Sequence, residues 1–409
     1  MPRAAALRLP VRLAVLRERE LRLLYAGQAV SLLGDGMLVV ALSFAVLDLT
    51  GSVSDLGFAF AVSRVPLVLT VLAGGVVADR LPRRSLMVAA DLVRMAALGT
   101  AAGLLISGSA QFWELLALLA LVGTAAGFFY PAATGLLPAT VPSELLQQAN
   151  GLRGISDSVG KIVGPALAGV LVVAVGPGFA LGFDAASFGV SAASLALLRL
   201  PPHLRPEKKR FRHDLTDGWR EFTSRTWVWS TVLVAGSFGN LFSAAFLVLG
   251  PGICEQHLGG AGAWALIIAA QGAGGLLAGV VVLGVRLRRP VVATNLAWTL
   301  LVAPNLLLAL AAPLPAVAAA AFAGGVGLGA GNGIWETTLQ RRIPAASLSR
   351  VSSYDWFGSL VFNPAGLALA GPVAAAFGAR ATLITAACWF AVSSLSLAAL
   401  PSVRSVRDG

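Results

Sequence analysis

The chain has 409 residues, 57% of them hydrophobic and only 12% charged, with a formal net charge of +11 and a mean hydropathy of +0.82. Soluble domains carry about 25% charged residues, so a soluble globular protein is excluded and a chain that crosses a bilayer many times is implied. The surplus of cations falls in alternate loops, which makes it a topology signal and sets nucleic-acid binding aside.

The first twenty residues carry Arg3, Arg8, Arg12, Arg17 and Arg19. No short apolar core with a small-residue cleavage site accompanies them, so no removable signal peptide is expected. Apolar runs then recur at 22–47, 55–78, 85–107, 112–137, 149–175 and 178–199, and again at 227–253, 261–284, 291–312, 314–339, 351–377 and 379–400. Each approaches the roughly 20 residues needed to cross about 30 Å of hydrocarbon. The runs are continuous rather than alternating in ten-residue segments, which excludes a membrane barrel. The expectation is an all-α membrane protein of twelve transmembrane helices. Its parts would be a cytoplasmic N-terminal segment (1–21), a six-helix bundle (22–199), a cytoplasmic linker (200–226), a second six-helix bundle (227–400) and a cytoplasmic tail (401–409).

In the first span Gly27, Ser31, Gly34 and Asp35 fall on one arc of about 100°. That places the Asp35 carboxyl toward the bundle interior, where it can pass a proton, hold a cationic substrate, or serve as a structural acceptor for serine or backbone. Arg64 in the second span either snorkels or lines a cavity. The loop after it, "GVVADRLPRR", runs from Gly75 to Arg84 and contains Asp79, Arg80 and Arg83. Asp79 at a helix end can be paired by arginine or by a neighbouring helix N-terminus, latching one side of the molecule; alternatively the arginines only enforce topology. Asp91 and Arg94 in the third span are three residues apart and can pair, either as structure or as part of coupling. The fourth span, "LLALLALVGTAAGFF", carries no arginine.

The fifth span opens with "GLRGISDSVGKIVGPALAG", Gly151 to Gly169, weak in helix propensity and charged at bilayer depth. On a helical wheel Arg153, Asp157 and Lys161 occupy an arc of roughly 80°, nearly shared with Gly160, Gly164 and Ala168. Charges at that depth default to interior or cavity positions, and small residues permit close helix approach. The charges are therefore expected to look inward, partnering one another at i, i+4, with Pro165 bending the helix just beyond them. Asp184 lies within the sixth span, as a buried acid or as a cap near the helix end.

Between the sixth and seventh spans, "HDLTDGWREFTSR" is either a short amphipathic helix with Trp219 and Phe222 toward lipid headgroups or a plain solvated linker. The second block echoes the first. "TVPSELLQQANGLRG" resembles "RIPAASLSRVSSYDW", with Pro142 against Pro344, and "GPALAG" resembles "NPAGLALAG". A looser pair is "GGVVADRLPRR" beside "GVVVLGVRLRR". Embedded charge is scarcer here. Asn240, Gln271, Asn295, Asn305, Asn332 and Asn363, beside Trp298, Trp335 and Trp356, suit a broad cavity wall, though single tryptophans at span ends also serve as interfacial anchors. Glu336 is expected in solvent.

Cys254 and Cys388 are isolated, and His203, His213 and His257 lie far apart in sequence. No metal, redox or nucleotide-binding motif is present, so no cofactor is expected.

The pattern Gly151-x(8)-Gly160-x(3)-Gly164-Pro165-x(2)-Ala168-Gly169 resembles the fifth-helix antiporter motif of the major facilitator superfamily, with Ala168 in place of one glycine. "GVVADRLPRR" resembles that superfamily's cytoplasmic signature, with Pro82 where glycine is usual. "GQAVSLLGDGMLVVAL", "AADLVRM", "DAASFGVSAASLALLRLP" and "LQRRIPAASLSRV" resemble drug exporters grouped with macrolide-efflux and enterobactin-exporter proteins. The resemblance implies two pseudo-symmetric six-helix bundles (the major facilitator fold) and, with it, a cytoplasmic gating role for Gly75, Asp79, Arg80, Arg83 and Arg84. It also implies exchange of a small amphipathic compound for protons, powered by the proton gradient across the bacterial cytoplasmic membrane. Proton or substrate candidates are Asp35, Asp91, Arg94, Arg153, Asp157, Lys161 and Asp184. A monomer in the lipid bilayer is expected, with both termini cytoplasmic. An importer or lipid flippase on the same fold is one alternative, and a membrane sensor or scaffold without transport is another.

Overall fold

The computed structural model describes residues 18–407, apart from 138–139, 143–145, 200–218 and 283–286. Twelve helices long and apolar enough to cross a membrane follow one another along the chain. They are α1 (Arg19–Thr50), α2 (Val53–Arg80), α3 (Arg83–Ser107), α4 (Phe112–Leu136), α5 (Leu146–Val175) and α6 (Pro177–Ala196). The second set is α7 (Thr226–Leu258), α8 (Gly260–Val282), α9 (Pro290–Ala309), α10 (Leu314–Arg342), α11 and α12 (Ala379–Ala399). Helix α11 is built from Ala345–Leu360 and Asn363–Phe377, interrupted ahead of Pro364, whose ring disfavours a helical residue before it.

Local chemistry sets the ends. The Ser52 hydroxyl accepts from the Asp55 amide at 3.2 Å to start α2, and Gln111 with Glu114 forms a reciprocal capping box on α4. Three connections are a single glycine. Gly176 turns α5 into α6 with φ 95°, Gly259 turns α7 into α8 with φ 98°, and Gly378 turns α11 into α12 with φ 88°. All three values lie in the region that a Cβ disfavours.

The two halves are copies in packing as well as in sequence. Helices α1, α2 and α3 pack on α6, α4 and α6; their counterparts α7, α8 and α9 pack on α12, α10 and α12. Equal sequence intervals separate Gly164 from Gly366, Gly169 from Gly371, and Gly176 from Gly378. The paired glycines do equivalent work. Gly164 lies against Gly36 and Leu33 of α1, and Gly366 against Leu241 of α7. Gly169 meets Ala265 and Ala261 of α8, and Gly371 meets Ser54 of α2.

These last two contacts are the seams joining the halves, α5 on α8 and α2 on α11. Along them Gly57 sits against Leu367 and Gly272 against Lys161, and beside them Gly252 of α7 sits against Val53 of α2. All fall between mid-span and the face opposite the one where α1 begins and α12 ends. We call these the far face and the termini face. Among the described residues, neither α10 nor the Ala345–Leu360 segment of α11 packs extensively on α1–α6.

Residues 219–223 are helical; the rest of the expected amphipathic segment up to 218 lies outside the described residues. Phe222 corrects the expectation. It is buried rather than turned to headgroups, stacked on Trp219 at 5.9 Å and packed against Tyr354 of α11. Trp219 is 53% exposed.

Candidate functional site

The interior of the first half holds an acid cluster assembled from four helices. Asp91 and Arg94 of α3 form an ion pair, with side-chain exposures of 0% and 3%. The Arg94 guanidinium lies over two rings, Phe129 of α4 at 4.4 Å and Phe188 of α6 at 4.0 Å. A charge so enclosed needs both its ionic partner and the aromatic quadrupoles. Ser191 of α6 stands beside Asp91.

Asp184 is also fully buried, seven residues into α6, so it caps nothing. The Ser187 hydroxyl donates to the Asp184 carbonyl at 2.7 Å and also lies 3.3 Å from its Oδ1, while Oδ2 has no hydrogen-bond partner. Its approach to α1 depends on Gly34, because a Cβ there would strike the Asp184 carboxyl and the Ser187 hydroxyl. Asp35, the next residue of α1, is half-buried. It lies within electrostatic reach of Arg94, Arg64, Asp157 and Asp184, and Tyr130 of α4 lies within reach of it in turn. The structure thus brings Asp35, Asp91, Arg94 and Asp184 together. Arg64 is exposed.

Helix α5 divides the face read from its sequence. Gly160, Gly164, Pro165, Ala168 and Gly169 are buried, and Gly160 and Gly164 are pressed on α1. Lys161 and Asp157 form an ion pair at 2.6 Å, yet their side chains are 66% and 45% exposed. Angle does not explain this, because on the wheel Asp157 falls within about 20° of Gly164 and Lys161 within about 20° of Ala168; the glycines meet α1 while the two longer side chains of the same arc stay exposed. Arg153 is half-buried near Tyr25 of α1, whose hydroxyl donates to the Ala149 carbonyl. Gly151 lies within α5.

Of the gating signature, Gly75, Asp79 and Arg80 lie in the last turns of α2, and the placement of their side chains is outside the described residues. Arg83 is the first residue of α3. Arg84 has a definite task. Its Nε donates to the Leu195 carbonyl at 3.0 Å and its Nη2 to that of Ala196, closing the C-terminus of α6, where unpaired carbonyls collect partial negative charge. Arg84→Ala should cost about 1–2 kcal/mol, seen as a lower unfolding midpoint of the detergent-solubilised protein, and Arg84→Lys should recover part of it.

The second half holds a half-open cavity of about 280 Å³. Asn240, Asn332, Trp298, Trp335 and Trp356 line it as expected of a cavity wall. Asn295 and Asn305 do not: both are buried, each donating to its own helix four residues back. Gln271 and Asn363 are not on this wall either. Glu336 is exposed, but onto the cavity. Asp355 is a lining residue that the sequence reading passes over. An acid within the span, in "SSYDWFG", is the signal that could have found it. No group of three or more His, Cys, Asp or Glu able to hold a metal occurs among the described residues.

A twelve-span, twofold-repeated bundle with ionisable groups turned inward defines a membrane transporter. The Major Facilitator Superfamily model matches residues 24–361, and the chain belongs to that superfamily. It is 26% identical over 389 residues, 91% of each chain, to the multidrug efflux pump Tap of Mycobacterium tuberculosis. It is 28% identical over 178 residues, 44% of each chain, to macrolide efflux protein A of Streptococcus pyogenes. Among solved structures, a peptide transporter POT in complex with sulfate superposes with a TM-score of 0.74 at 14% identity, covering 96% of both chains. That likeness carries the fold alone.

Proposed function

We propose that the protein exports small amphipathic compounds in exchange for protons, by rocking its halves about the two glycine seams. The names of the two efflux relatives support export of a drug-like compound over import, lipid flipping or sensing. The alternation of arginine-rich and arginine-free loops supports a cytoplasmic termini face in a bacterial cytoplasmic membrane. With the seams joined toward the far face, the described arrangement corresponds to the state open to the cytoplasm.

The observation that carries the proton reading is the charge balance of the cluster in the first half. Three carboxyl groups, Asp35, Asp91 and Asp184, share the reach of the Arg94 guanidinium, and Asp35 also that of Arg64, while Asp157 is already paired with Lys161. The cluster is electrically balanced with one proton aboard, and uncompensated charge in a bundle interior is costly. Asp35, half-buried, is the member from which that proton can reach water, and the partnerless Oδ2 of Asp184 is open to receive it.

Efflux from proteoliposomes tests this. Collapsing the pH gradient should stop uphill export by the wild type. Asp35→Asn, which mimics the protonated acid, should lose the response to the gradient while retaining downhill exchange. Uphill export that persists without the gradient, or a coupled Asp35→Asn variant, would defeat the proposal.

A further inference from the structure

We infer that the second half carries its own binding site for a monovalent organic cation, in the 280 Å³ cavity lined by α7, α9, α10, α11 and α12. The inference deepens the export reading and rests on it only for the claim that the bound cation is cargo.

Four observations converge. Among the described residues none of α1–α6 lines the cavity, so its described wall belongs to one bundle. Two acids face it, Glu336 and Asp355, each within the electrostatic reach of the other. Neither has a cationic partner among the described residues. Both Asp355 oxygens accept from the Trp335 indole Nε1, at 3.2 Å. That contact aims the carboxylate but leaves its charge unopposed, with the residue only 9% exposed. Third, Thr231 is 1% exposed, lines the same cavity, and its hydroxyl has no hydrogen-bond partner. An unpaired buried hydroxyl costs about 1–3 kcal/mol unless something in the cavity meets it. Fourth, the adjoining turn of α7, Val232–Ser237, is π-helical, a distortion that favours functional sites because it re-aims backbone and side chains.

The chemistry selects the ligand. Trp298, Trp335 and Trp356 line the cavity, and aromatic rings attract a cation. Two carboxylates with aromatic walls are too few oxygen donors for calcium or magnesium, which take six or more. Asn240 and the Thr231 hydroxyl add acceptors for the hydrogens of a protonated amine.

Equilibrium binding to the purified full-length protein tests the site without any gradient, using the planar cation proflavine and its uncharged parent ring acridine as probes. The wild type should bind proflavine saturably. Glu336→Gln with Asp355→Asn should weaken proflavine at least tenfold while leaving acridine binding and the unfolding midpoint nearly unchanged. Asp355→Glu should retain most of the affinity. No saturable proflavine binding, or affinity in the double variant within twofold of wild type, overturns the inference. So does equal weakening of acridine. The outcomes separate the two proposals. Binding that follows these acids, in a protein whose export ignores the pH gradient, leaves the site standing and removes proton exchange. Binding lost in Asp35→Asn but indifferent to Glu336 and Asp355 does the opposite.

Discussion

Arg94→Ala should cost about 3–5 kcal/mol of stability, the range expected when one partner of a buried ion pair is removed. Asp91 is fully buried and Arg94 nearly so, so the variant strands a carboxylate between α3 and α6 where water does not reach. It also takes away the cation sandwiched by Phe129 and Phe188 and leaves a cavity between two rings. The double variant with Asp91→Asn should regain most of the loss, because the stranded charge accounts for more of it than the missing contacts do. Asp91→Asn alone should be milder than Arg94→Ala: Arg94 keeps its two rings and stays within reach of Asp35. Chemical unfolding in detergent reads all three. A loss below about 1 kcal/mol for Arg94→Ala would contradict so enclosed a pair.

Gly164→Leu should abolish export while the same change at Gly154 is tolerated. A Cβ on Gly164 would lie 2.7 Å from the Leu33 carbonyl oxygen and 2.8 Å from Gly36, both of them backbone, which cannot rotate aside. The leucine must push α5 off α1, and overpacking of this kind costs about 1–3 kcal/mol or more. Since α5 carries the seam to α8, the displacement alters how the halves meet. Gly154 is exposed with open space where its Cβ would go. Efflux assays on membranes with matched protein levels distinguish the two. The repeat adds a check: Gly366→Leu, against Leu241 of α7, should be as harmful as Gly164→Leu.

The sequence discloses the helices far better than their neighbours. Long apolar runs reveal spans because the bilayer imposes their length, and the turns at Gly176 and Gly378 are legible because few other residues take those φ values. Which arc of a helix meets which partner is another matter. A wheel places Lys161 near the glycines but does not say that its side chain stays 66% exposed while Gly160 and Gly164 are pressed on α1. It places Asn295 and Asn305 at bilayer depth without showing that each is occupied by its own helix backbone. Phe222 reads as a lipid anchor until Tyr354, more than a hundred residues later, is brought against it. Asp355 is the clearest case. It stands one residue after Tyr354 and one before Trp356, and only the fold of the second half joins it to Trp335, Glu336 and Thr231.

The central claim is that one proton in the first half decides which face is open. Pulsed spin–spin distance measurements test it most directly, in a background with Cys254 and Cys388 replaced. One label pair belongs at Ser85 and Gln340 on the termini face, the other at Ser109 and Ala316 on the far face, all exposed positions. Moving from acidic to alkaline buffer should shorten the first distance and lengthen the second. Asp35→Asn should hold the acidic distances throughout. Wild-type distances that ignore pH, or a pH response that survives Asp35→Asn, would contradict the account.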